Sequence, residues 1–117
     1  MQLDVSNPES GQAPVATVTG EVDVYSAPAL RDGLTDLLSA GSSVIVDLTG
    51  VGFLDSTGLG ALVAARKTAE EQGVILPLVC TAERILKLFT ITGLDGVFTL
   101  CSSVDQAQKL AAGVGNH

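Results

Sequence analysis

Val44-Ile45-Val46-Asp47-Leu48-Thr49-Gly50-Val51-Gly52-Phe53-Leu54-Asp55-Ser56-Thr57-Gly58-Leu59-Gly60 is the stretch on which the fold turns. Its first five residues are a continuous run rich in β-branched side chains, the pattern of a strand covered on both faces. Thr49 to Ser56 then leads into a helix. Leu59, Leu62 and Val63 form the apolar stripe of that helix, Arg66, Lys67, Glu70 and Glu71 its solvated part, and Gly73 its end.

Outward from this centre the chain keeps alternating. Upstream, Gln2 to Ser6 and Val15 to Thr19 alternate apolar and polar residues, and Asn7 to Gln12, with Pro8 and Gly11, reads as the turn joining two paired strands. Ser26 suits a helix N-cap, with Pro28 in the first turn, Leu30, Leu34, Leu37 and Leu38 at helical spacing, and Gly41 as a stop. Downstream, Val74 to Cys80 is a buried strand. Thr81 and Glu83 open a helix with Ile85, Leu86, Leu88 and Phe89 inward and Gly93 at its close. Val97 to Leu100 is a short strand. Ser103 with Gln106 resembles a capping box for a last helix carrying Val104, Ala107, Leu110 and Ala111. The expected architecture is α/β: one domain over 1–117, a mixed, mostly parallel sheet of about five strands, and about four helices. The ordered core is expected over about 2–112, with a flexible tail over 113–117.

Composition narrows the function. Hydrophobic residues make up 46% of the 117 residues and charged ones 16%, the balance of a packed globule. Thirteen acids against six bases give −7, which opposes phosphate backbones and anionic membranes, so neither nucleic acid nor membrane is an expected partner. The amino terminus lacks the basic start and apolar run of a signal peptide, and no apolar run approaches the ~20 residues of a membrane span. A cytoplasmic location follows as the expectation. Cys80 and Cys101 read as small buried hydrophobes. His117, the single histidine, is the last residue, so neither a Cys/His metal set nor a histidine base for a serine nucleophile can be assembled. No cofactor, no metal and no catalytic residue is expected.

The polar residues of the quoted stretch fall at a helix amino end, where backbone N–H groups lack intrahelical partners. Asp55 or Ser56 as a helix cap, with glycines for close approach to the sheet, is the purely structural account. Other motifs fail. Gly58-Leu59-Gly60 lacks the third glycine of a dinucleotide fingerprint, and no Gly-Lys-Ser/Thr is present. Ser56 lacks the flanking glycine of a nucleophile elbow. Asp47 could end the central strand of a phosphoaspartate receiver, but the paired acids and the lysine such a domain needs are missing.

Leu54-Asp55-Ser56-Thr57-Gly58-Leu59-Gly60, with Thr19-Gly20-Glu21-Val22-Asp23 upstream, closely resembles the anti-sigma factor antagonists of the STAS domain family. Arg84-Ile85-Leu86-Lys87-Leu88-Phe89 and Thr92-Gly93-Leu94 match that family's third helix and its end. The resemblance implies a small switch protein that binds an anti-sigma factor with serine kinase activity and so frees a sigma factor. It places the phosphoacceptor at Ser56, implies a serine phosphatase for reactivation, and sets the loop after Gly20 beside the Ser56 helix start. Glu21, Asp23 and Asp55 then make an acidic docking edge, Leu59 and Val63 are candidate apolar contacts, and Thr57, Gly58 and Gly60 complete the expected partner surface. The alternative for Asp23 is a turn or cap before Ser26. The alternative for the whole protein is a STAS-type scaffold in a sensory or lipid-transport assembly. Monomer and dimer both remain open. Every lysine and arginine lies at or after Arg31, whereas Asp4, Glu9, Glu21 and Asp23 precede it.

Overall fold

The elements run β1 (Gln2–Ser6), β2 (Val15–Val22), α1 (Ala27–Leu38), β3 (Ile45–Leu54), α2 (Ser56–Gln72), β4 (Leu78–Val79), α3 (Glu83–Ile91), a 3-10 turn (Leu94–Gly96), β5 (Leu100–Cys101) and α4 (Val104–Val114). The structure, a computed structural model, describes residues 1–7 and 11–114. Pro8 of the expected turn, Glu9 of the early acids, and the tail beyond Val114 with His117 lie outside the described residues. Within them α4 continues through Gly113 to Val114.

All five strands join one sheet in chain order, β1 antiparallel to β2 and the others parallel. The mixed sheet and four helices match the expected architecture. Because strand side chains alternate between faces, neighbouring residues divide into two cores. Ala16, Val46 and Leu78 face one way, against Leu30 and Leu34 of α1, Leu62 of α2 and Phe89 of α3. Val15, Ile45 and Val79 face the other way, with Cys101 and Ala107 of α4. The three crossover helices share one face, as right-handed connections between adjacent parallel strands require. Ile45 and Val46 lie in different cores, so this strand is covered on both sides as its composition predicts.

β3 is longer than the expected Val44 to Leu48 and runs on to Leu54. The extension escapes a period-two reading because β3 is bulged twice: Thr17 pairs with Asp47 but Thr19 with Gly50, and Gly20 pairs with Val51 but Glu21 with Phe53. Each extra residue resets the alternation. Leu48, Val51 and Leu54 therefore reach the same core at a spacing of three. β2 likewise extends to Val22, taking in Glu21. β4 is shorter than Val74 to Cys80, because Pro77 has no N–H for the ladder and the Val74 N–H turns back to the Ala69 carbonyl of α2. β5 begins at Leu100 and not at Val97, whose N–H is held by the Leu94 carbonyl of the 3-10 turn.

Helix ends follow local chemistry. Gly73 closes α2 in the left-handed region, φ 72°, where its N–H reaches the Ala69 and Glu70 carbonyls. In α3, Ile85 and Phe89 are buried, Leu86 and Leu88 pack at the core margin, and Phe89 meets Phe98 edge-on at 5.7 Å. Gln106 N–H donates to Ser103 Oγ at 3.1 Å, while its side chain accepts from Ser102, so the capping box is reciprocal with the residue before. Leu110, expected inward on α4, is exposed; Val104, Ala107 and Ala111 form the packed stripe. Cys80 and Cys101 are free and buried in different cores, on opposite faces of neighbouring strands. No helix among the described residues is long and apolar enough to cross a membrane.

Candidate functional site

Parallel strands β2 and β3 end side by side, Val22 opposite Leu54, and the Asp55 N–H donates to the Val22 carbonyl at 3.3 Å. The start of α2 is thereby tied to the turn leading into α1. Asp55 is the N-cap. Its Oδ1 accepts from the N–H groups of Thr57 and Gly58, each at 3.0 Å, and from Thr57 Oγ1 at 2.5 Å. These donors, the Thr57 hydroxyl foremost, hold the Asp55 carboxyl below the ordinary carboxylate value. Ser56, the first residue of α2, is exposed, and among the described residues its hydroxyl enters no hydrogen bond.

Asp23 takes the turn role that was its alternative. Its Oδ1 accepts from the N–H groups of Tyr25 at 3.0 Å and Ser26 at 3.2 Å, and from Ser26 Oγ; its own N–H donates to Ser26 Oγ at 3.0 Å. Ser26 holds the N-cap position of α1 without a side-chain cap bond. Its hydroxyl is spent on Asp23 and the Glu21 carbonyl. Only Oδ1 is engaged on Asp23 and on Asp55, so each has a second oxygen to present outward. Glu21 is exposed opposite Phe53. Glu21, Asp23 and Asp55 thus share the carboxyl ends of β2 and β3, the edge expected from the sequence.

The remaining expected residues separate by burial. Ser56, Gly60 and Val63 fall on one exposed face of α2, at steps of four and three residues. Val63 is 39% exposed and so lies outside the apolar stripe in which it was expected. Leu59 is only 5% exposed and belongs to the core, so it offers no surface to a partner. Gly58 is buried too. A Cβ on it would stand 2.4 Å from Leu54 Cδ1, 2.9 Å from Val22 Cγ1 and 3.3 Å from the Val22 carbonyl oxygen, so glycine here lets α2 close onto the strand ends.

Four residues escaped the sequence reading. Tyr25 is 90% exposed, Val24 57% and Phe53 48%, all bordering the acidic edge. Phe53 falls in the segment Thr49 to Ser56, which reads in sequence as leading into the helix; it is instead a residue of β3 that the second bulge turns outward. Tyr25, the single tyrosine, stands between the two partners of the Asp23 turn, which was its only signal. Arg84 of α3 donates from Nη2 to the Gly52 carbonyl at 2.8 Å, fastening α3 to the second bulge.

Comparison with known proteins places this arrangement. The STAS domain family model matches residues 4–107. An anti-sigma-B factor antagonist of Bacillus subtilis (strain 168) is 37% identical over 100 residues, 86% of this chain and 92% of its own length. The crystal structure of an anti-sigma factor antagonist from Mycobacterium paratuberculosis superposes with a TM-score of 0.82 at 28% identity, covering 94% of this chain and 92% of the other. The Bacillus cell fate determinant SpoIIAA in its phosphorylated form shares the fold, with a TM-score of 0.69 at 16% identity over 93% of this chain and 99% of its own. By the extent of the family match and the identity to a relative of almost the same length, the chain belongs to the STAS domain family.

Proposed function

We propose that this protein is an anti-sigma factor antagonist, a regulatory binding protein rather than an enzyme, whose partner is an anti-sigma factor with serine kinase activity. Phosphorylation of Ser56 switches it off, a serine phosphatase restores it, and the cycle runs in the cytoplasm. The names of its relatives support the antagonist reading. The observation that carries the switch is the contrast at the head of α2: Asp55 and Thr57 engage each other, while the Ser56 hydroxyl between them is exposed and unpaired.

In the transfer, the bond between the γ-phosphorus of ATP and its bridging oxygen breaks, ADP departs, a P–O bond forms at Ser56 Oγ, and the hydroxyl proton passes to a base of the kinase. Asp55 is a poor candidate for that base, because it already accepts three hydrogen bonds and its carboxyl is more acidic than usual. The phosphate adds about −1.5 to −2 charges. At an exposed helix amino terminus it is favourable by about 0.3–1 kcal/mol, so the fold survives. Burying it against a partner without new cations costs several kcal/mol, and a change of ~4 kcal/mol is about a thousandfold in affinity. The interface, and not the fold, reads the modification.

The test is incubation with Mg·ATP and the anti-sigma factor kinase of the same genome, followed by mass spectrometry and binding titration. Ser56→Ala should lose phosphate incorporation but keep binding; Ser56→Glu should fold and bind poorly. Equal affinity of the phosphorylated and unmodified proteins would overturn the switch.

A further inference from the structure

Between α1 and α2, beside the Ser56 end of α2, lies a groove of about 310 Å³ walled by Val24, Ala27, Pro28, Thr57, Gly60 and Ala61. Arg31 also borders it, with its Nε paired to Asp32 at 3.2 Å. The charge left beside the groove is that of Glu21, Asp23 and Asp55, the last two with a free oxygen each. The wall is apolar apart from Arg31, and the acidic edge adjoins it where Asp23 precedes Val24 and Asp55 holds the Thr57 hydroxyl.

Gly60 is the unexplained residue. It lies inside α2, where glycine is the least favourable choice after proline. Its φ is not positive, so the backbone does not require it, and a Cβ built on it meets no atom within 4 Å, so packing does not require it either. Gly58, two residues earlier, shows the contrast, since its Cβ would collide with Leu54 and Val22. Neither backbone conformation nor packing among the described residues accounts for glycine at this position.

We propose that this groove receives one large apolar side chain of the anti-sigma factor, from a segment whose flanking residues are basic. The inference rests on the antagonist reading and adds to it a defined seat. Apolar surface fills the space kept open by Gly60. Val24 and Tyr25, left uncovered in the free protein, close over it. The basic flanks meet Glu21, Asp23 and Asp55. A phosphate on Ser56, the residue before Thr57 of the groove wall, sets a doubly charged group beside an apolar contact, which desolvation disfavours.

The experiment is calorimetric titration of the full chain with the kinase that labels Ser56, using Gly60→Ala, Gly60→Leu and, on a distant face of α3, Ile91→Ser. Gly60→Ala should melt above wild type and bind within a few-fold of it. Gly60→Leu should fold, fill the groove with its own side chain, and bind at least tenfold more weakly. Ile91→Ser should bind as wild type. Wild-type affinity in folded Gly60→Leu overturns the groove while leaving Ser56 control intact. A wild-type dimer in sedimentation that Gly60→Leu dissolves assigns the groove to a second copy and overturns the proposal. Failure of wild type to bind any anti-sigma factor sinks this inference together with the antagonist reading.

Discussion

Thr57 Oγ1 donates to Asp55 Oδ1 at 2.5 Å, bridging over the intervening Ser56, so that the two neighbours of the exposed serine are fastened to each other. The bridge joins a helix cap to a lowered carboxyl pKa, and it can be tested by pH.

Asp55→Ala should lower the melting temperature at neutral pH by removing the cap of α2. Because the folded-state pKa of Asp55 is depressed below 3.8, its charged form stabilises the fold above that value, and the contribution is lost as pH falls through the folded pKa. The gap between wild type and Asp55→Ala should therefore narrow below pH 3.8. Thermal melts across that range check the sign; a gap that widens on acidification contradicts it.

Gly58→Ala should destabilise by about 1–3 kcal/mol, the usual cost of forcing a methyl group into a filled interior. Leu54 can yield, but the Val22 carbonyl belongs to the strand backbone. Urea unfolding measures the loss.

Ser56→Asp should leave stability within about 1 kcal/mol of wild type, the span expected for a charge at an exposed helix amino end. Urea titrations at low and high salt distinguish a dipole effect, which salt screens, from a packing effect, which it leaves.

Phe89→Ala should cost about 3–5 kcal/mol, since the ring is fully buried and meets Phe98 edge-on. Circular-dichroism melts report it.

Cys80 and Cys101 should stay unlinked under mild oxidation and react slowly with thiol reagents until denaturant is added. Burial raises both thiol pKa values, and the side chains occupy opposite faces of the sheet. Labelling followed by mass spectrometry decides the matter; a disulfide formed in the native state would refute it.

How far the molecule was legible from its residues depends on whether neighbours in sequence set the conformation. The helices announced themselves, because Leu30, Leu34 and Leu38, or Ile85 and Phe89, repeat at a period that a single element imposes. The Asp55 cap was equally local. What escaped was pairing. The bulges of β3 exist only relative to β2, so Thr49 to Ser56 looked like a connection. Val63 and Leu110 were placed inward by period alone, whereas burial depends on what stands opposite. Near the strand ends, the paired motifs put Ser56 at the head of a helix beside Glu21, Asp23 and Asp55, which is where the fold has them. The roles of Gly58 and Gly60, alike in sequence, diverge only when Val22 and Leu54 are set beside one of them.

The order of strands in the sheet is their order along the chain. On a ribosome, each strand after the first therefore emerges to find its neighbour already made, and the link between two successive strands never holds more than one α-helix and a 3-10 turn. Short-range closure of this kind favours fast assembly. Synthesis through Gln72 delivers β1, β2, β3 and both helices that frame Ser56 before β4 leaves the ribosome. The serine and its surroundings are made before the last two strands of the sheet.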